Sequence, residues 1–210
     1  MALLKSLEYG YSTRTKGIIY IGSLKKEDLN ILIAYADSSL SVPRSQGCRM
    51  VIMNGAVISF TSKRHSTTDD STAAAELTEQ HLCACDVEGL RNLMKEVGLE
   101  QLEPTKIFQD NQAAIHIANN RGALAKKTRA MDMRTLAVRN KVEDMKVVPV
   151  YCETINMLAD IGTKALEPNK FEILRDIMTG YGVLDAMKKG NWREVAVLMI
   201  HMAYRKIKDQ

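Results

Sequence analysis

Apolar residues recur along this chain at two spacings, every second position in some stretches and every third or fourth in others, which marks strands and helices respectively. NILIAYADSSL, residues 30–40, alternates and predicts a strand ending at Asp37. CRMVIMNGAVISF, residues 48–60, holds two apolar runs about Asn54-Gly55, a pair whose tolerance of positive φ suits a tight hairpin. Three antiparallel strands are therefore expected to open the domain. In DDSTAAAELTEQHLCACDVEGLRNLMKEVG, residues 69–98, the stripe Cys83, Val87, Leu90, Met94 and Val97 steps by four and three, the spacing of one buried helix face, with Ser71 or Thr72 as the cap. Counting that stripe back one heptad from Cys83 lands on Glu76, so an acid occupies a core-facing row near the helix start.

Strand TKIFQD ends at Asp110 and leads into a short helix from Asn111 to about Asn120. The basic stretch AKKTRAMDMRTLAVRNKVEDM predicts a further helix, VVPVYC a short strand, and ETINMLADIGTKAL a helix carrying Asp160. This is an α/β class: a mixed five-stranded sheet, three antiparallel strands followed by strand-helix alternation, with helices on its faces, a layout in which the first and fourth strands could lie side by side. Before residue 31 the chain offers one short strand, GIIYIG, and no core of its own. Three parts follow: a tail over 1–30, a domain over 31–178, and a helical extension over 179–210, where VAVLMIHMAY predicts a docking helix.

Asp110 has two readings. Asp and Asn cap helices, since their side-chain oxygens accept the unpaired N–H groups of the first turn. Strand ends in open α/β sheets are also where chemistry is placed. If the first and fourth strands are neighbours, Asp37 and Asp110 end on one edge, and a helix packed across that edge brings Glu76 within reach. Like charges gathered there repel strongly unless some are protonated or a cation is bound. An all-oxygen ligand set selects hard ions, Mg²⁺ or Mn²⁺, over zinc. Two such ions roughly 4 Å apart suit phosphodiester hydrolysis.

Composition adds little against this. The 210 residues are 46% hydrophobic, enough for a packed core, and Lys plus Arg exceed Asp plus Glu by 29 to 25, compatible with a polyanionic partner. Cys48, Cys83, Cys85 and Cys152 form no CxxC pair, which disfavours a zinc site and fits a reducing, intracellular compartment, cytoplasmic or nuclear. No membrane partner is expected: the most apolar stretch, residues 195–204, is about half the ~20 residues a spanning helix needs.

The segments AYADSS, STAAAEL, FQDNQAAI and MLADIGTKAL, in this order, resemble the ribonuclease H domain at the C-terminal end of the Pol polyprotein of copia-type (pseudovirus) retrotransposons. VISFTSKRH, KKTRAMDMR and LEPNKFEILRDIM add to the likeness, which runs from about Ile31 to Met178; the tail before it resembles the end of a reverse transcriptase. The resemblance implies a metal-dependent endonuclease that cuts the RNA strand of RNA/DNA hybrids, with two Mg²⁺ or Mn²⁺ ions held by Asp37, Glu76, Asp110 and Asp160, and a reverse transcriptase domain in a longer polyprotein. Members usually have an acid and a tryptophan after the first aspartate, where this chain reads DSSLSVPRS, and STEAEY where it reads STAAAEL. Histidines common around KTRAMDMR are missing here.

Other residues have bland alternatives. Gln112, beside Asn111, could reach 2′-hydroxyls in the hybrid's minor groove or be an ordinary first-turn residue. Lys63-Arg64 and Lys126-Lys127-Thr128-Arg129 could track phosphates or be solvated loops. His116 is expected in a core or half-buried position, Asp132 in a structural role near Arg134, and Asp69 and Asp70 at the positive end of the helix dipole. Two alternative functions stay open: a silent remnant that binds nucleic acid or protein, and another nuclease of the same general fold.

Overall fold

The computed structural model describes residues 2–21, 30–119 and 129–188. A helix α1 (Ala2–Ser12) precedes the strands β1 (Ile33–Ser39), β2 (Gln46–Met53) and β3 (Ala56–Arg64), then come α2 (Thr72–Glu96), β4 (Thr105–Gln109), α3 (Gln112–Asn119), α4 (Arg129–Glu143) and β5 (Val147–Tyr151). A short 3₁₀ turn, Thr154–Asn156, leads to the one-turn α5 (Asp160–Thr163), then α6 (Pro168–Met178) and α7 (Tyr181–Lys188). The strands form one mixed sheet in the order β3-β2-β1-β4-β5. β1, β2 and β3 are antiparallel neighbours, while β4 runs parallel to β1 and to β5. That is the expected mixed five-stranded sheet, first and fourth strands adjacent. The β2–β3 turn takes Asn54 and Gly55 at φ 51° and 83°, as the Asn-Gly pair predicts.

Alternation along β1 divides the core in two. Leu32, Ala34 and Ala36 pack with Val51, Ile107 and Val147 beneath Cys83, Ala84, Val87 and Met94 of α2. Ile33 and Tyr35 face the other way, onto Met50, Phe108, Met157, Leu158 and Leu174. The small residues Ala34 and Ala36 let α2 lie close to the central strand, and Ser71 caps that helix by accepting from the Ala74 N–H at 3.1 Å. Val97, placed by spacing on the buried stripe, is exposed, because α2 ends at Glu96 and the chain turns away through Gly98 at φ 79°.

Three other expectations are corrected. Asp37 does not end its strand: β1 runs on to Ser39, paired with β2 through Asp37–Cys48, Ser38–Gly47 and Ser39–Gln46. Its pairing with β4 stops at Tyr35–Phe108, so Asp37 projects from the point where the sheet opens. GIIYIG forms no strand over its described residues; Ile19 N–H bonds Thr179 O and Ile21 N–H bonds Asn54 O, two isolated links rather than a ladder. ETINMLADIGTKAL is not one helix. Met157, Leu158, Ala159 and Asp160 are all buried, and four successive buried residues cannot belong to a helix with one covered face. The chain passes beneath the sheet's open end, where a Cβ on Gly162 would collide with Cys48 Sγ, and Ser62 Oγ donates to Gly162 O at 2.6 Å. Among the described residues no helix is long and apolar enough to cross a membrane. Residues 126–128 and the proposed docking helix at 195–204 lie outside the described residues, as do the side chains of Arg129 and Asp132.

Candidate metal centre

Strand parity explains how two of the acids meet. Extending the β1–β4 register by two residues from Tyr35–Phe108 sets Asp37 level with Asp110, both on the face that carries Tyr35 and Phe108. Glu76, in the second turn of α2, reaches over the same edge from the opposite face. Asp37, Glu76 and Asp110 each offer a carboxylate oxygen, and these lie within 4.8 Å of one another. The first two are buried, at 1% and 3% exposure, whereas Asp110 is half-buried at the mouth.

Each carboxylate is held. Glu76 Oε1 accepts from the Ser38 backbone N–H at 3.3 Å, and Gln109 Nε2 donates to both Glu76 O and Oε2, at 3.1 and 3.3 Å. Thr154 Oγ1 donates to Asp110 Oδ2 at 3.0 Å, and Thr163 Oγ1 to Asp37 Oδ2. Burial pushes the Glu76 carboxyl up to about 8, with the charges of Asp37 and Asp110 adding to the shift. Asp37 is pushed up to about 6, again by burial first, although Thr163 and Lys164 pull it down. The centre thus holds more negative charge than it can keep ionised unaided, which is the condition a divalent cation relieves. Its all-oxygen, partly preorganised donor set fits a hard ion such as Mg²⁺ or Mn²⁺.

Asp160 lies beside this group without joining it. It is wholly buried, and its two oxygens are taken by Lys164 Nζ at 2.5 Å and Lys170 Nζ at 2.8 Å. Lys164 also stands 3.5 Å from Asp37 Oδ2, so its ammonium bridges the first and fourth acids. Burial opposes that charge, but the hydrogen bond to Asp160 and the nearby carboxylates more than offset it and raise the lysine's pKa.

The remaining candidates are scattered. Asn111 caps α3, its Oδ1 accepting from the Ala114 N–H at 3.1 Å, and Gln112 is exposed in the helix's first turn, next to the mouth. Lys63 and Arg64 are exposed at the end of β3; Lys63 pairs with Gly47, itself paired with Ser38, so two strand spacings, about 10 Å, separate it from the row beside Asp37. His116 is exposed, contrary to the expected half-buried position, because the inward row of α3 is Ala114 and Ala118.

Sequence reasoning missed a second charged cluster one turn along α2. Both ring nitrogens of buried His65 face carboxylates, Nδ1 at 2.7 Å from Asp69 Oδ2 and Nε2 at 3.0 Å from Glu79 Oε2. Arg49 joins Glu79 Oε1 at 3.0 Å to Asp86 Oδ2 at 2.5 Å, and Thr78 Oγ1 donates to Asp69 Oδ1 at 3.1 Å. Asp69 is therefore a partner of His65 and Thr78, not merely a charge at the helix dipole. The cluster ties the first turns of α2, and so Glu76, to β2 and the end of β3. Burial works against the His65 charge, yet Glu79 and Asp69 outweigh it and raise the pKa. A raised histidine contributes stability that is full below its unfolded value of ~6.5 and is lost as pH climbs through the higher folded value. His65→Ala is expected to lower stability at pH 6 by about 2 kcal/mol, since it leaves two buried carboxylates short of a partner, with a smaller loss at pH 9. Urea unfolding at the two pH values reads both effects; equal losses would contradict the charged pairing.

No protein-family model matches the chain. It is similar to the retrovirus-related Pol polyprotein from transposon TNT 1-94 of Nicotiana tabacum, 27% identical over 152 residues, which cover 70% of this chain and 11% of that protein. It is also similar to the transposon Ty1-LR3 Gag-Pol polyprotein of Saccharomyces cerevisiae, 25% identical over 171 residues, 80% of this chain and 10% of that one. The chain spans about a tenth of the length of these curated relatives. Among solved structures, it superposes on the N-terminal RNase H domain of a Mycobacterium tuberculosis protein fused to maltose-binding protein, with TM-score 0.48, 9% identity, and coverage of 70% of this chain and 97% of that one. LC11-RNase H1 in complex with an RNA/DNA hybrid gives TM-score 0.46 and 11% identity, covering 60% and 88%.

Proposed function

We propose that this chain, whose relatives are retrotransposon Pol polyproteins, is a divalent-metal-dependent endonuclease that hydrolyses the RNA strand of RNA/DNA hybrids, working beside a reverse transcriptase in a longer polyprotein. The observation that carries the reading is the meeting of Asp37, Glu76 and Asp110, brought from β1, α2 and the end of β4 to one opening of the sheet. These three carboxylates would hold one ion, and Asp160 would complete the set for a second. Divalent ions bound there supply an acidified water and charge neutralisation at the leaving oxygen.

The chain's own groups orient that chemistry. Thr154 and Thr163 fix the rotation of the Asp110 and Asp37 carboxylates, and Gln109 with the Ser38 N–H fixes Glu76, so little rearrangement is needed when substrate arrives. In-line attack of water on phosphorus leaves a 3′-hydroxyl and a 5′-phosphate, with no covalent intermediate on the protein. Gln112, exposed at the mouth, reads the 2′-hydroxyl that separates RNA from DNA; Asn111 sets the helix that presents it, and Lys63 and Arg64 follow phosphates farther along the duplex. Purified protein in Mg²⁺ should cleave labelled RNA within a hybrid and leave single-stranded RNA and duplex DNA intact; equal cleavage of duplex DNA would point to another nuclease of this fold. The lysine clamp on Asp160 favours one further reading, a silent nucleic-acid-binding remnant, which hybrid binding without cleavage in both Mg²⁺ and Mn²⁺ would establish.

A further inference from the structure

We propose that Lys164 is a tethered cation that occupies the place of a second divalent ion beside Asp160 and yields it only when a substrate phosphate draws the ammonium away. The inference rests on the metal-centre reading above and assigns a role that the four acids alone do not imply. Its basis is geometric. Lys164 Nζ lies 2.5 Å from Asp160 Oδ1 and 3.5 Å from Asp37 Oδ2, the two oxygens between which a second ion would have to sit. Lys170 Nζ holds the other Asp160 oxygen at 2.8 Å, and Asp160 is wholly buried, so each of its oxygens already faces an ammonium. By contrast, among the described residues only one ammonium stands within ion-pair distance of the group of Asp37, Glu76 and Asp110, at its Asp37 end. The centre is therefore split into an open place for one ion and a place already filled by a side chain.

The occupant is suited to leaving. Lys164 follows Asp160 by four residues, just past the end of that one-turn helix, so it stays tethered to the acid it neutralises, yet its side chain is 37% exposed at the crevice. Lysine is a compact charge on a flexible stem and binds phosphate as a point charge. A phosphodiester bridging the crevice offers it a second anionic partner while adding an oxygen ligand for the incoming ion. An ammonium and a divalent ion cannot share the gap between Asp37 and Asp160, because both would then stand within contact distance at like charge. Without substrate the protein thus takes one ion, and the second enters with the phosphate.

Calorimetric titration of the full chain with Mn²⁺ alone, in the absence of nucleic acid, tests this. The wild type is expected to bind one Mn²⁺, and K164M two, with the second bound at least tenfold more tightly than any second ion in the wild type. K164Q should behave as K164M does, K164R should stay at one, and K164M combined with D160N should return to one, locating the gained ion at Asp160. Retention of a single ion by both K164M and K164Q, or two ions of similar affinity in the wild type, overturns the inference while leaving the metal centre in place. A wild type that binds no Mn²⁺ removes the metal-centre reading itself, and this inference with it.

Discussion

Asp110→Asn is expected to reduce cleavage of the RNA strand of a hybrid by at least about 1,000-fold in Mg²⁺, a loss of ~4 kcal/mol of transition-state stabilisation. The substitution keeps the side chain's shape, and its oxygen can still accept from Thr154, so packing is spared. What it removes is one negative ligand from a group of three whose other two members, Asp37 and Glu76, are buried and have raised pKa values. Because repulsion falls at the same time, the variant should melt no lower than the wild type in the absence of metal. That pairing distinguishes a ligand from a structural acid: full activity in Asp110→Asn would sink the site assignment, and loss of activity with loss of fold would not support it.

Glu76→Gln should raise the melting temperature of the metal-free protein at pH 7 by ~6–12 °C, an effect of about 3 kcal/mol. The sign follows from linkage. Glu76 has an ordinary value of 4.5 and a folded value of about 8, so between these limits the native state holds a proton that the unfolded chain has released. Stability of the metal-free wild type therefore falls as pH rises through that window, and Asp37, displaced to about 6, acts in the same direction over a narrower range. Glutamine removes the larger contribution and should flatten the profile. Millimolar Mg²⁺ should close most of that gap: it stabilises the wild type by mass action, about 2.7 kcal/mol at a hundredfold excess over Kd, and Glu76→Gln much less. A variant that melts lower than the wild type without metal, or responds equally to Mg²⁺, would contradict the electrostatic account of the centre.

The part of this site that was legible in the sequence is the part fixed by period. Alternation marked β1, a short β-branched and aromatic run marked β4, the Asn54-Gly55 turn set the hairpin, and counting back along α2 from Cys83 put Glu76 on the inward row, where the structure has it. Those are local regularities, and the parallel pairing of β1 with β4 then brings the acids together. The surroundings of Asp160 were not legible, because its backbone is shaped by what it passes under. Gly162 must clear Cys48, and four consecutive residues must be buried, demands that come from a strand more than a hundred residues away. The His65 cluster was hidden for the same reason. Nothing in TSKRHSTTDD says that the histidine turns back to meet Glu79 of α2, and a charged His, Asp and Glu spread from residue 65 to 79 reads as solvated surface. Even Asp37 was placed at a strand end when it lies inside a longer β1, since pairing with β2 outlasts pairing with β4.

The central claim, that these three carboxylates share one divalent cation, is tested most directly by anomalous diffraction from a crystal grown with Mn²⁺. The account predicts a manganese peak within direct-ligand distance of an oxygen of each of Asp37, Glu76 and Asp110, lost in the Asp110→Asn crystal. A clean map at millimolar Mn²⁺, or a peak that touches none of the three, would contradict it.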